Sequence, residues 1–343
     1  MGLMGTWCGD AAIPFAAMVI AEIGLVGLFT LSKAALSRGM NPYVFVVYYY
    51  ALATLLLLPT FIFNRRRPPL TFSLLSRIFL LGLIGTSGVI FGYIGIGYSS
   101  PTLSSAMSNL VPAFTFILAS IFRMEKLDIK SRSSQAKTVG TIVSITGAII
   151  VTLYKGQPLI VTPSHSLLST HSNWLIGGVL LAADWLLMAV WNIVMAAIVK
   201  DFPAELTIAF FYCFFVAILS ALFTLVAVKD LNVWKLRSNI ELITVVYSAI
   251  FGSIVSTNIH AWCLRIKGPI YVSIFKPFGI VIAVIMSVIL LAETLYIGSV
   301  IGSIVISIGF YAVIWGKSTE EKVIEDIDIT SFESSPHAPL LVN

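Results

Sequence analysis

Four polar residues stand near the middle of long apolar stretches of this sequence. They are Glu22, Asn109, Asp184 and Lys276. Ionisable groups inside a membrane-spanning helix are costly, and they commonly mark solute or ion pathways. A buried carboxylate could load and release a proton, which makes Glu22 and Asp184 the candidates for proton coupling. The alternative for each charged residue is that it pairs with another and only holds helices together.

Lys276 carries a lone ammonium group directly before Pro277, well inside an apolar run. At that depth the side chain cannot easily reach the membrane surface, so it should face a cavity or a carboxylate. Two interpretations remain open. Lys276 binds the anionic end of a solute, or it forms a permanent ion pair with Glu22 or Asp184.

Further candidates for solute binding follow from helical spacing. Asp184, Met188, Trp191, Asn192 and Met195 fall on one helical face, which would suit an amphipathic organic solute. For Trp191 the alternative is a tryptophan at the lipid interface.

Two more side chains complete the candidate set. His260 ends a polar stripe that contains Ser256, although hydroxyl groups there more often bond to their own backbone. Tyr93 lies in a glycine-rich run that includes Gly88 and Gly92. These glycines indicate close helix packing, and Tyr93 could still face a cavity.

The composition requires these residues to sit in a membrane. Of the 343 residues, 58% are hydrophobic and 11% are charged, against about 25% charged in a soluble domain. This excludes a water-soluble enzyme, a disordered regulator and a nucleic-acid binder. Three scattered cysteines predict neither a disulfide framework nor a metal site, and no motif indicates a cofactor.

Ten apolar runs are long enough to cross a bilayer. The predicted spans are 13–35, 42–63, 74–98, 102–122, 136–155, 174–198, 204–228, 240–264, 268–291 and 296–316. With a cytosolic N-terminus, 14 of the 21 Lys and Arg residues fall in cytosolic segments and 6 in outer ones. The excess of cytosolic cations favours both termini inside.

Little of the chain is left outside these spans. We expect a cytosolic segment at 1–12, a polar outer loop at 156–173 and a disordered cytosolic tail at 317–343. The remainder divides into two repeats, 13–155 and 174–316.

The two halves match at a nearly constant offset. Glu22 and Asp184 are 162 positions apart, as are Gly140 and Gly302, and Gly147 and Gly309. Because each half holds five spans, the second must cross the membrane in the opposite direction. Inverted repeats of this kind are typical of secondary transporters, whose solute site lies near the midplane between the repeats.

Several segments resemble a known family. They are FRMEKL at 122–127, AKTVGT at 136–141, TLYKG at 152–156, FPAEL at 202–206, KGPIYVSIFKP at 267–277 and LYIGSVIGSIVISIGFYAVIWGK at 295–317. The chain resembles the plant drug/metabolite-superfamily transporters of the EamA type, and within them the nodulin-21-like, walls-are-thin-related (UMAMIT) group. The resemblance implies transport of small organic solutes such as amino acids or auxin.

The sequence therefore predicts an all-α membrane protein of ten transmembrane helices, built as two inverted five-helix repeats. We expect a secondary transporter that works by alternating access, with a small organic solute, the lipid bilayer and, as an open alternative, protons as its partners. A non-transporting scaffold or stress-signalling protein is the first alternative, and a membrane-embedded enzyme is the second. The plasma membrane is favoured over the vacuolar and endoplasmic reticulum membranes, and nothing in the sequence indicates an oligomeric state.

Overall fold

The structure is a computed structural model that describes residues 3–36, 38–63, 70–98, 108, 110–122, 124, 131–154, 157–160, 174–236, 239–291 and 295–333. In chain order its first elements are α1 (Leu3–Leu36), α2 (Pro42–Phe63), α3 (Phe72–Tyr98), α4 (Val111–Ile121), α5 (Arg132–Leu153), β1 (Pro158–Ile160), α6 (Trp174–Asp201) and α7 (Glu205–Ala227). A 3₁₀ turn at Leu231–Trp234 follows α7. Two helices come next, α8 at 239–267 and α9 at 269–291. The elements β2 (Leu295–Tyr296) and α10 (Ile297–Glu333) follow.

Helices α8 and α9 follow one another with a single residue between them. Helix α8 comprises Asn239–Tyr247, a π-helical stretch Ser248–Val255, and the first part of Ser256–Leu291. That last segment is interrupted at Gly268, whose φ of 81° and ψ of 174° are not helical. Glycine tolerates a positive φ, and the following Pro269 suits the first position of a new helix. We call the part after Gly268 α9.

The helices have the composition of membrane spans. Among the described residues, five stretches are long and apolar enough to cross a bilayer: Pro42–Phe63, Phe72–Ile96, Ile176–Asp201, Glu205–Ala227 and Asn239–Lys276. Large apolar side chains such as Phe63 and Phe72 are exposed on the outside of the bundle. In a membrane this surface contacts lipid, and the fold is an all-α membrane fold.

Helices α5 and α10 pack closely and run in opposite directions. A Cβ atom at Gly140 would lie 2.7 Å from the carbonyl oxygen of Gly309, and one at Gly147 would lie 2.9 Å from that of Gly302. Gly140 and Gly302 are equivalent residues of the two repeats, and so are Gly147 and Gly309, because the members of each pair are 162 positions apart. The contact of Gly140 with Gly309 therefore corresponds to the contact of Gly302 with Gly147. Equivalent helices that meet antiparallel are related by a two-fold axis across the helices, which is the geometry of an inverted repeat.

The same relation holds for two other helix pairs. Helix α1 packs antiparallel on α8, where Gly24 lies against Phe251. Its counterpart α6 packs antiparallel on α3, where Gly92 lies against Asp184. The prediction that the glycines of α3 mediate close packing is therefore confirmed.

Contacts between chain segments also group by membrane face. Arg77 at the start of α3 forms an ion pair of 2.7 Å with Asp201 at the end of α6. At the opposite end of the bundle, β1 pairs antiparallel with β2, and the Tyr48 hydroxyl donates to the Trp234 carbonyl oxygen. These contacts place segments predicted to share a membrane face at the same end of the bundle.

Several elements extend into segments that the sequence predicted to lie outside the spans. Helix α1 begins at Leu3, so most of the expected N-terminal segment 1–12 is helical; its first proline, Pro14, lies inside the helix. Within the predicted outer loop 156–173, Pro158–Ile160 form strand β1, in which Pro158 pairs with Tyr296 and Ile160 pairs with Leu295 of β2.

The expected disordered tail at 317–343 is helical as far as Glu333. Val323, Ile324 and Ile327 continue a helical pattern through the acidic sequence, and no proline occurs before Pro336. Of the predicted fourth span, the structure shows Val111–Ile121 as helix, and most of its earlier part lies outside the described residues.

Candidate functional site

Three polar side chains from three helices meet inside the bundle. The Nζ atom of Lys276 on α9 donates to Oε1 of Glu22 on α1 at 3.1 Å. Nε2 of His260 on α8 lies 4.0 Å from the same oxygen. We call Glu22, His260 and Lys276 the polar cluster. Their side chains are 5%, 4% and 13% exposed, so the cluster is nearly closed, with Lys276 the most accessible member.

The turn at Gly268 explains why His260 and Lys276 reach the same level. Each lies eight residues from Gly268 along its own helix, which is about 12 Å at 1.5 Å per residue. A tight reversal therefore brings the two side chains side by side. Glu22, near the middle of α1, faces both.

His260 has a defined orientation. Its Nδ1 lies 2.8 Å from the carbonyl oxygen of Ser256 and 3.2 Å from the Ser256 hydroxyl oxygen. We assign the hydrogen to Nδ1, because the shorter contact is to the carbonyl oxygen, which can only accept. In the neutral ring Nε2 then carries a lone pair, and it has no hydrogen-bond partner among the described residues. Nε2 and Oε1 of Glu22 are thus two acceptors that face each other across a 4.0 Å gap.

The backbone of α9 also lies against the polar cluster. A Cβ atom at Gly279 would lie 2.8 Å from Oε2 of Glu22, so only glycine leaves room for the carboxylate there. Two helical turns away along α1, Phe15 packs against Phe275 and Phe310, with ring centroids 5.7 and 6.1 Å apart. These rings hold α1 against α9 and α10.

Asp184 occupies the equivalent position in the second repeat but has different surroundings. It is half-buried in a notch of α3, where Cβ atoms at Gly88 and Gly92 would lie 3.1 and 2.7 Å from its carboxylate oxygens. No cation of the described residues is within ion-pair distance of it. The structure therefore pairs Lys276 with Glu22 and not with Asp184.

Further along α6, two buried side chains have unused hydrogen-bonding capacity. Asn192 is fully buried, and neither its amide nitrogen nor its oxygen has a partner in the described part of the chain. The same holds for the indole nitrogen of Trp191. Buried polar groups are normally satisfied, so these two are candidates for contact with a solute or water.

Trp191 belongs to an aromatic cluster that the sequence did not reveal. Its ring packs edge-on against Tyr212 at 5.8 Å, and Tyr212 contacts Tyr50, which contacts Tyr49. Trp191 is 6% exposed, which contradicts its interpretation as a residue of the lipid interface. These aromatic residues lie on α2, α6 and α7, and no spacing within one helix could have indicated that they meet.

The candidate residues thus divide into groups. Glu22, His260 and Lys276 come together, Asp184 lies against α3, and Trp191 and Asn192 lie on the interior face of α6. Tyr93 is partly buried on α3 and packs edge-on against Tyr43 at 6.4 Å. Asn109 lies outside the described residues. Chemically, the polar cluster offers one ammonium group to an anion and two acceptors to a proton.

Known proteins are similar to this chain in sequence or in fold. A model described as the EamA-like transporter family matches residues 13–153. Two WAT1-related proteins of Arabidopsis thaliana are 50% and 45% identical to this chain, each over 96% of this chain and 92% of its own length. A solved crystal structure of a protein with 16% identity has a TM-score of 0.63 and matches over 87% of this chain and 96% of its own. That last likeness concerns the fold alone.

Proposed function

The chain belongs to the WAT1-related family of EamA-like membrane transporters, and on that premise we propose that it carries small organic acids or amino acids across a membrane. The solute site lies between the two repeats, and access to it alternates between the two membrane faces. Lys276 receives the carboxylate of the solute. Amino acids and indole acids such as auxin are the proposed solute classes.

The observation that carries this proposal is the position of the ion pair between Glu22 and Lys276. A buried ion pair is weak evidence for stability, since desolvation of both charges offsets much of their attraction. This pair joins α1 of the first repeat to α9 of the second, and the other repeat has no equivalent cation: the residue 165 positions before Lys276 is Val111. A charge that breaks the symmetry of a repeated scaffold is better explained by an asymmetric solute than by the fold.

The unpartnered groups on α6 support an amphipathic solute. Asn192 could exchange a donor and an acceptor with a polar group, and the Trp191 indole could line an apolar portion. Asp184 supplies a second carboxylate, which would suit the ammonium group of an amino acid. Each of these roles is part of the proposal.

The close contact of α5 with α10 supports alternating access. Glycine contacts at both ends of this pair let two backbones meet near the axis that relates the repeats. The other helices could then rock about this pair, as repeats do in secondary transporters.

The proposal extends to the orientation in the cell. The excess of Lys and Arg at the end of the bundle that holds Arg77, Lys200 and Arg265 indicates the cytosolic face. Both termini are then cytosolic, and the 156–173 segment faces outward. We favour the plasma membrane as the location.

Proteoliposomes test the proposed function. Purified protein is reconstituted and offered a panel of radiolabelled amino acids and indole acids, with and without a pH gradient. We expect saturable uptake of at least one carboxylate solute above that of protein-free liposomes. Absence of uptake of every solute in both conditions, from correctly folded protein, would exclude transport of these classes and favour a scaffold function.

A further inference from the structure

We infer that Glu22 and the solute carboxylate compete for Lys276, so that binding of one monoanionic solute brings one proton onto Glu22. This inference rests on the proposed function and specifies how that function is coupled to protons. It also distinguishes between the two candidate acids, since it assigns the coupling role to Glu22 and not to Asp184.

Lys276 has hydrogen-bonding capacity left for a second carboxylate. An ammonium group has three N–H donors, and the described residues supply one acceptor, Oε1 of Glu22. The Lys276 side chain keeps 13% of its surface exposed, whereas Glu22 keeps 5%. An anion can therefore approach Lys276 from the side that Glu22 does not occupy.

Charge balance then decides the state of Glu22. With Lys276 positive, Glu22 negative and His260 neutral, the polar cluster has no net charge. Arrival of a monoanion at Lys276 leaves one negative charge in excess inside the protein. A buried uncompensated charge is strongly disfavoured, and the group neutralises instead. Glu22 is the group whose partner has been taken, so it takes up the proton.

The geometry provides a place for that proton. Oε1 of Glu22 and the lone pair of His260 Nε2 face each other at 4.0 Å, and neither can donate to the other while His260 is neutral. A protonated Glu22 could donate to Nε2 after a small approach, which would satisfy a nitrogen that otherwise has no partner among the described residues.

No other titratable group of the described residues competes for this position. Helix α8 contributes His260, α9 contributes Lys276, and Phe310 of α10 contributes an aromatic ring near Phe15. Asp184 lies in the notch of α3 and is not part of the cluster. The coupling is therefore one proton for each monoanion, and the loaded carrier moves no net charge.

Proton uptake on binding can be measured directly by isothermal titration calorimetry of the full-length protein in detergent. Indole-3-acetate and benzoate serve as probes, and each titration is repeated near neutral pH in buffers of different ionisation enthalpy. We expect the dependence on the buffer to give an uptake of about one proton per bound probe. This binding measurement is independent of passive diffusion of the weak acid through lipid.

Three variants separate the roles. Glu22→Gln removes the competitor and the proton acceptor together, and it is made in a Lys276→Arg background, because a lone ammonium group could lose its own proton whereas a guanidinium group stays charged. Lys276→Arg alone should take up about one proton per bound probe, and the double variant should bind the probes with proton uptake near zero. Glu205→Gln is the matched control, because Glu205 also forms an ion pair, with Arg265 at 3.0 Å, but lies outside the polar cluster. It should retain the uptake of about one proton per probe.

The outcomes distinguish this inference from the function on which it rests. Binding of a probe by the wild type without proton uptake, or undiminished proton uptake in the Lys276→Arg and Glu22→Gln double variant, would overturn the coupling and leave carrier function standing. Failure of both probes to bind, while proteoliposomes transport another solute, would also overturn the coupling alone. Failure of every solute to be transported would overturn both.

Discussion

At the scale of single residues, the stability of the protein depends on each buried charge having a partner. Glu22 and Lys276 compensate each other at 3.1 Å, with the backbone at Gly279 close against the carboxylate. Because the pair is nearly closed from solvent, loss of one member leaves the other as an isolated buried charge.

Lys276→Met should therefore destabilise the protein, by about 3–5 kcal/mol as for other broken buried pairs. The double variant with Glu22→Gln removes both charges and should recover most of that loss. The melting temperature of the purified protein in detergent measures both effects.

Arg77→Met provides the control for this prediction. Arg77 pairs with Asp201 at 2.7 Å, but the two side chains are 51% and 63% exposed. An exposed pair contributes about 0–1 kcal/mol, so this variant should melt close to the wild type. Equal destabilisation by both substitutions would show that Lys276 is not specially placed.

The sequence predicted that Lys276 would meet a solute or an acid, but it left Glu22 and Asp184 as equal partners. Which of the two acids pairs with Lys276 depends on its contact with Glu22, 254 positions away in the sequence. Lys276 reaches this level of the bundle because the chain reverses at Gly268. His260 was singled out from a polar stripe, whereas its position beside Glu22 could be seen only in three dimensions.

At the scale of helices, glycine determines which pairs can come close. Gly140 and Gly147 let α5 approach the backbone of α10, and Gly88 and Gly92 leave room on α3 for Asp184. The contact regions were predictable, since the glycines recur at helical spacing. The π-helical stretch of α8 was not predictable, because nothing in its apolar sequence indicates a change of hydrogen-bonding pattern.

Gly140→Ala should weaken the packing of α5 on α10. The added methyl group would lie 2.7 Å from a backbone oxygen that cannot move aside without shifting its helix. Overpacking of this kind costs about 1–3 kcal/mol, and a lowered melting temperature reports it.

Gly24→Ala is the matched substitution on α1. There the nearest atom, Cβ of Phe251, would be 3.6 Å away, which is ordinary van der Waals contact. Since alanine favours a helix over glycine by about 0.5–1 kcal/mol, this variant should melt at or above the wild-type temperature. If Gly140→Ala were equally harmless, the proposed closeness of α5 and α10 would be wrong.

At the scale of the whole molecule, the inverted repeat organises the fold. The 162-residue offset predicted it, and the glycine contacts between α5 and α10 have the two-fold relation that an inverted repeat requires. What the offset could not predict is the asymmetry between the two acids, because that depends on the different neighbours each half supplies.

The orientation of the bundle gives a prediction at this scale. In a Cys8→Ser background, where the native Cys213 and Cys263 are buried, Asn232→Cys should react with a membrane-impermeant maleimide added outside intact cells. Ser76→Cys, exposed at the other end of the bundle, should react only after the cells are opened. The opposite pattern would place the termini outside.

The most direct test of the central claim is uptake by proteoliposomes that contain either the wild type or Lys276→Met, using the best solute from the panel. Each sample is first shown to be monodisperse and folded, with the Lys276→Met and Glu22→Gln double variant as a folded substitute if the single variant is unstable. We expect saturable uptake of a carboxylate solute by the wild type and loss of that uptake without Lys276. Uptake at the wild-type rate by a folded protein that lacks Lys276 would contradict it.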